Sequence, residues 1–175
     1  MNTTSPAAPA PARDPLLRIT RLLLFIVIAI SAIAGLASMA AIPGLWLSGD
    51  RFEFAASAEA KAAITAALAC GVVICTMSFL FLRKLLAIVE SVSMGSPFIP
   101  QNAVRLRTMA WLVMGLQGLM MIAAPVSIWV KQVVPGAKIV LTFDFGWLLT
   151  ALLLFILARV FETGTRLAED VEGTV

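Results

Sequence analysis

The chain has 175 residues, of which 61% are hydrophobic and 13% are charged. Soluble domains carry about 45–50% apolar and about 25% charged residues, so this composition excludes an ordinary soluble domain and predicts a membrane protein. The net charge of +3 comes without a basic stripe interleaved with aromatic residues, which argues against direct nucleic-acid binding.

The N-terminal residues 1–15 are rich in Pro and Ala and are predicted to be a disordered cytoplasmic segment. The rest of the chain, 16–175, is predicted to form a single four-helix membrane domain. We expect its helices at about 18–47, 61–94, 100–131 and 145–168. A helix must have about 20 residues to cross about 30 Å of hydrocarbon, and the uncharged runs in the first three helices meet this length.

The fourth uncharged run, 145–158, is shorter than a usual crossing. We still expect it to cross, because Arg159 has a long stem that can snorkel to the headgroups. Since lipid leaves no water to bond unpaired backbone groups, all four segments are predicted to be helices packed as a bundle.

Positive charge near the ends of the helices predicts the orientation. Nine Lys and Arg residues fall on the side of the two termini and of the segment between helices two and three, and four fall on the other side. The sequence therefore predicts a multi-pass protein of the bacterial cytoplasmic (inner) membrane, with both termini in the cytoplasm. Arg83, Lys84 and Arg159 are predicted to anchor the helices at the membrane interface.

The two outer loops have strand-like patterns. Residues 46–54 include the period-two alternation of Arg51 to Phe54, and residues 138–144 are rich in β-branched and aromatic residues. They predict a small extracytoplasmic β element, which either shields the bundle or binds a ligand from outside.

Small residues recur at every fourth position of helix two, at Ala63, Ala67, Gly71 and Cys75. Such a stripe lets a neighbouring helix approach closely, either within the chain or in a homodimer. Cys70 and Cys75 point in different directions on the helix and cannot bridge each other. Because the chain has no His and no CxxC spacing, we expect no metal and no cofactor.

The segment between helices two and three is the most distinctive part of the chain. The apolar pattern of helix two continues past Arg83 as far as Val92, Gly95 is a plausible C-cap, and Pro100 suits the first turn of the next helix. The result is a cytoplasmic helical hairpin that stands about 12–18 Å out of the bilayer. Phe98 and Ile99 at its tip either enter the headgroups, pack back on the hairpin, or dock on a partner.

The hairpin also carries a family resemblance. Residues 94–107, Met-Gly-Ser-Pro-Phe-Ile-Pro-Gln-Asn-Ala-Val-Arg-Leu-Arg, resemble the G-x-P-F-x-P-x-N-x-x-R-L-R signature of the bacterial membrane family known as domain of unknown function 2975 (DUF2975). The C-terminal residues 158–175 are similar to the short acidic end of that family. Gln101 and Ile99 depart from the pattern, where an acidic residue and a Ser or Thr cap would be expected.

This resemblance implies a four-helix membrane protein that lacks an established activity. Family members often resemble the membrane half of a two-gene arrangement whose other half is a small helix-turn-helix regulator. The resemblance therefore suggests a regulator that is held at, or released from, the membrane.

We expect no enzymatic activity, because the membrane segments lack His and Tyr and no nucleophile has an acidic or basic neighbour on its own helix. The leading hypothesis is a membrane sensor or tether for a small cytosolic DNA-binding regulator. A small transporter or channel subunit is the alternative, although the membrane interior holds no ionisable residue. The residues assigned to partner binding are those of the hairpin signature: Gly95, Pro97, Phe98, Ile99, Pro100, Asn102, Arg105 and Arg107. Arg105 and Arg107 have a second interpretation, as anchors that bind lipid phosphate.

Overall fold

Four long helices account for nearly all of the described chain. The structure, a computed structural model, describes residues 15–47, 57–95, 97–137 and 146–172. The helices are α1 (Pro15–Leu47), α2 (Ala58–Ser93), α3 (Pro100–Val133) and α4 (Gly146–Glu172). Each of them is long and apolar enough to cross a membrane. The predicted all-helical membrane bundle is confirmed at this level, and no strand occurs within the described ranges.

The predicted outer β element is not supported. Trp46 and Leu47, predicted as the start of a strand, form the last turn of α1, and the Trp46 indole N–H donates to Thr65 Oγ1 at 3.0 Å. Continuing the helix keeps these backbone groups bonded within α1, and the alternating pattern begins only at Arg51. The other residues of the two predicted strands, 48–54 and 138–144, lie outside the described residues.

The N-terminal prediction needs a similar correction at its boundary. Pro15 was assigned to the disordered segment, but it is the first residue of α1. Proline is favoured at the first helical position, because its missing N–H would have no helical partner there. Residues 1–14 lie outside the described part of the chain.

Local sequence explains where α2 and α3 begin and end. The Ser57 hydroxyl accepts a hydrogen bond from the Ala60 N–H at 3.0 Å and caps the start of α2. Gly95 follows the end of α2 with a φ of 79°, the left-handed conformation that glycine adopts most readily. Pro100 opens α3, whereas Ile99 at its N-cap makes no side-chain cap bond.

Each helix packs on the next one in the chain: α1 on α2, α2 on α3 and α3 on α4. Contacts at both ends of α1 and α2, Arg21 with Glu90 and Trp46 with Thr65, show that this pair is antiparallel. The ends of α2 and α3 farthest from the hairpin share a buried cluster of Ala60, Ala63, Val130 and Val134.

The predicted small-residue stripe serves two neighbours. Ala63 and Ala67 pack in the cluster with α3, whereas a Cβ on Gly35 of α1 would lie 3.2 Å from the Cβ of Cys75. Positions four apart on an α-helix rotate by about 40° per step, so a stripe of four residues turns from one neighbour toward another. The stripe therefore acts within the chain, in both of its helix pairs.

The lengths of the uncharged runs between charged residues can be compared with the thickness of a membrane. The uncharged residues 62–82 of α2 and 108–130 of α3 span about 32 and about 35 Å, which match the hydrocarbon layer. Arg107 of α3 and Arg159 of α4 bind the same carboxylate, so α3 and α4 enter the charged layer together. From Arg159 back to Gly146, α4 extends only about 20 Å, which is shorter than the hydrocarbon layer.

Candidate functional site

Buried polar contacts and ion pairs of the described chain are concentrated at the end of the bundle that contains the turn between α2 and α3. We call residues 83–107 the hairpin, and its residues 92–95 and 97–99 the hairpin tip. The tip extends about 15 Å beyond Arg83, counted along α2.

A buried polar network closes the hairpin. The Asn102 side chain is 0% exposed, and its amide nitrogen donates to Ser91 Oγ at 2.6 Å and to the Pro97 carbonyl at 2.8 Å. The Asn102 side-chain oxygen accepts a hydrogen bond from Arg105 Nη1 at 2.9 Å. Arg105 Nη1 also donates to the Ala87 carbonyl at 3.0 Å. Because buried polar groups are costly when unpaired, this network favours one arrangement of the two helices and the turn.

The network places two of the residues that were predicted to bind a partner. Asn102 is buried and Arg105 is half-buried, and their hydrogen bonds hold the hairpin together, while their part in partner binding stays a prediction. Ser91 is equally buried and was missed by the sequence analysis. A serine on the apolar face of a helix carries no signal for a partner eleven positions away, across a turn.

Phe98 joins the hairpin to α4. Its ring lies 5.5 Å from the Phe161 ring between centroids, and a Cβ on Gly164 would lie 2.8 Å from Phe98 Cδ1. Of the three placements considered for Phe98, the structure has the side chain packed back on the protein, although on α4 and not on the hairpin itself. Phe98 remains 49% exposed, so one side of the ring is still accessible.

We predict that Gly164→Ala and Phe98→Ala are energetically coupled. Alanine favours a helix over glycine by about 1 kcal/mol, but in the native protein its methyl group must displace the Phe98 ring. Gly164→Ala should therefore be neutral or destabilising alone and stabilising by up to about 1 kcal/mol in the Phe98→Ala background. Free energies of unfolding from SDS titration of the four proteins in the cycle measure this coupling, and additive effects would contradict the contact.

Three arginines converge on Glu162. Arg107 Nη2 and Arg159 Nη1 each lie 3.3 Å from Glu162 Oε2, and Arg166 Nη2 lies 3.1 Å from Oε1. Arg159 and Glu162 are three positions apart on α4 and form a local helical pair. The contribution of Arg107 was missed, because it comes from a helix that is distant in sequence.

The other two predicted anchors, Arg83 and Lys84, lie on α2. The Arg83 guanidinium carbon lies 5.7 Å from the centre of the Phe79 ring, Lys84 is half-buried on the next position of α2, and Arg21 pairs with Glu90 at 2.7 Å. Arg83 and Lys84 directly follow the apolar part of α2, whereas the Arg21–Glu90 pair lies about 10 Å farther toward the tip.

The hairpin tip exposes apolar side chains beyond these cationic groups. Met94 is 75% exposed and Val92 is 41% exposed, and both lie beside the Gly95 turn. Ile99 is half-buried, and Pro100 is exposed at the start of α3. The apolar side chains of Met94, Phe98 and Pro100 thus lie at the surface, whereas Asn102 lies inside the hairpin.

All four helices line an apolar cavity of about 330 Å³ within the membrane layer. Its lining includes Val27 of α1, Phe81 of α2, Val113 of α3 and Trp147 of α4. The residues that line it have no ionisable side chain, and their polar side-chain groups are the hydroxyls of Ser31, Ser78 and Thr150 and the indole N–H of Trp147. Within the described ranges, no His, Cys, Asp and Glu side chains group as metal ligands would.

Comparison with known protein families gives one match. A family model described as "Protein of unknown function (DUF2975)" matches residues 41–175, which include all of α2, α3 and α4. No curated protein and no solved structure matches the chain significantly.

Proposed function

Because the chain belongs to the DUF2975 family of membrane proteins, we propose that it is a non-enzymatic membrane protein that docks a cytosolic partner on its hairpin tip. The proposal places the protein in the bacterial cytoplasmic membrane with both termini in the cytoplasm. The partner proposed is a small DNA-binding regulator, which the protein tethers at the membrane or releases from it.

The exposed apolar tip is the observation that carries this proposal. A bilayer of about 40–45 Å with a core of about 30 Å has headgroup layers of only about 5–8 Å, so a tip about 15 Å beyond Arg83 clears the lipid. In that position Met94 and Val92 would face water. Apolar side chains grouped at a projecting tip are typical of a protein contact.

The buried network supports the same function through preorganisation. A flexible loop loses conformational entropy when it binds, whereas a turn held by Asn102 and Arg105 has already lost much of it. The contact of Phe98 with α4 connects this rigid turn to the last helix, so that a movement of α4 would reposition the tip. This connection is the physical basis that we propose for sensing.

The distribution of charge supports a cytoplasmic hairpin. Among the described residues, eight Lys and Arg residues lie toward the hairpin end and two toward the other end. The eight are Arg18, Arg21, Arg83, Lys84, Arg105, Arg107, Arg159 and Arg166. The positive-inside rule assigns such an end to the cytoplasm.

A charge at the tip tests the docking site. Met94→Glu should weaken capture of the regulator about tenfold, because a carboxylate would have to be desolvated in an apolar contact. The measurement is co-purification of the tagged full-length protein in mild detergent, with bound proteins identified and quantified by mass spectrometry.

Leu167→Glu is the matched control, since Leu167 is also exposed and apolar but lies on the last turns of α4. A DNA-binding protein retained by wild type and by Leu167→Glu, but lost with Met94→Glu, supports tethering. Equal retention by all three proteins, or the absence of any DNA-binding protein from the wild-type sample, contradicts it.

A small transporter remains the second candidate, and the four-helix cavity is the observation that favours it. Its apolar lining would suit an uncharged solute. It ranks second because proton or ion coupling generally uses an ionisable residue within the membrane, and the lining residues include none.

A further inference from the structure

The cluster around Glu162 holds more positive charge than local pairing requires. Three guanidinium groups share the Glu162 carboxylate, and among the described side chains Asp170 lies one turn beyond Arg166. The side chains of Arg107, Arg159 and Arg166 are 57%, 72% and 70% exposed. Each guanidinium has five N–H donors, so one contact with Glu162 leaves most of them available to an anion at the surface.

Glu162 also determines where these groups point. Its two oxygens accept from Arg107 of α3 and from Arg159 and Arg166 of its own helix, which holds the three side chains around one point. The carboxylate offsets their mutual repulsion. The arrangement is a preorganised set of donors, in which the planar guanidinium suits the geometry of phosphate oxygens.

A groove between α3 and α4 lies beside this cluster. Its volume is about 300 Å³, and it is lined by Arg107, Glu162 and Arg166 together with Pro100, Ala103, Val104 and Thr165. Ala103 and Thr165 form buried parts of the wall, and Val104 is exposed. The groove is therefore polar on one side and apolar on the other.

The depth of the groove matches that of lipid headgroups. Arg107 and Arg159 directly follow the uncharged parts of α3 and α4, at the boundary where lipid phosphates lie. On the membrane side of the cluster, Trp111 is an exposed apolar residue that an acyl chain could contact. Trp111 is held there by an edge-to-face contact with Phe155 at 5.6 Å.

We propose that this groove is a binding site for the phosphate group of an anionic phospholipid. Arg107 and Arg166, which line the groove, bind the phosphate oxygens, Arg159 adds positive charge beside them through Glu162, and the acyl chains extend along the apolar surface of α3 and α4. The site is distinct from the exposed tip at Met94, so it does not depend on the docking function. Its occupation by a lipid would strengthen the connection between the hairpin and α4, because Arg107 and Arg166 belong to different helices.

Lipid binding to the purified, delipidated full-length protein in detergent tests the proposal. Native mass spectrometry would compare phosphatidylglycerol with phosphatidylcholine of the same acyl chains. We expect wild type to prefer phosphatidylglycerol, and the double variant Arg107→Gln with Arg166→Gln to lose about 10- to 30-fold of that preference. Arg83→Gln is the control, since Arg83 lies in the same charged layer on α2 and stacks on Phe79.

Glu162→Gln keeps the proposal testable if the double variant fails to fold. Glutamine keeps a side-chain oxygen that can accept from the arginines, but it removes the negative charge that competes with a phosphate, so phosphatidylglycerol binding should strengthen relative to wild type. Weaker binding by Glu162→Gln, or an equal loss with Arg83→Gln, would overturn the assigned site. Competition with soluble glycerol 3-phosphate distinguishes a lipid site from a site for soluble phosphate esters. If glycerol 3-phosphate at equal concentration displaces phosphatidylglycerol, the groove is a site for soluble phosphate esters and the lipid assignment is overturned.

Discussion

Replacement of Asn102 by leucine is expected to destabilise the protein by about 2–4 kcal/mol and to loosen the hairpin. The side chain is fully buried and bonds to Ser91, Pro97 and Arg105. Leucine has a similar size but no polar atoms, so the half-buried Pro97 carbonyl and Arg105 Nη1 each lose a hydrogen bond, and the buried Ser91 hydroxyl keeps only its bond to the Ile88 carbonyl. Each such loss costs about 1–3 kcal/mol.

Two measurements separate this effect from a general loss of stability. SDS titration gives the free energy of unfolding, and hydrogen exchange reports on the backbone of the hairpin tip in the native state. Gln101→Leu is the control, because Gln101 is the adjacent residue on α3 and is exposed, and its effect should stay within about 0.5 kcal/mol. Unchanged exchange at the tip in Asn102→Leu would show that the network does not hold the turn.

Gly35→Leu is expected to separate α1 from α2 at a cost of about 1–3 kcal/mol. A Cβ on Gly35 would lie 3.2 Å from Cys75 Cβ, and a complete leucine side chain needs space that α2 already occupies. Helix association in lipid relies on such close packing, since the surrounding acyl chains are as apolar as the side chains. The substitution should therefore act on the α1–α2 pair and leave the hairpin network intact.

Gly44→Leu provides the matched control for this prediction. Gly44 lies in the same helix, but a Cβ there has no neighbour within 4 Å, so the gain in helix propensity is kept without the clash. SDS titration compares the two stabilities, and maleimide labelling reports on Cys75, which is half-buried beside Gly35. Equal stability of the two variants, with equal labelling of Cys75, would contradict close packing at Gly35.

The helices and the hairpin could be predicted because each depends on local chemistry. Long uncharged runs predict membrane helices, since only a helix satisfies the backbone within one segment. Gly95 and Pro100 mark the end of α2 and the start of α3 for equally local reasons, a left-handed φ and a first-turn position. The outer β element depended on a weaker signal, and at Trp46 and Leu47 the continuing helix prevails.

The sequence by itself determined the membrane class, the four helices, the hairpin and the family, because these follow from composition, periodicity and a contiguous motif. Only the tertiary structure decided that Asn102 binds Ser91, that Phe98 packs against Gly164, and that Arg107 meets Glu162. Each of these pairs joins residues from different helices. The rotation and depth of two packed helices determine which of their side chains meet, and neither can be derived from the periodicity of one helix alone.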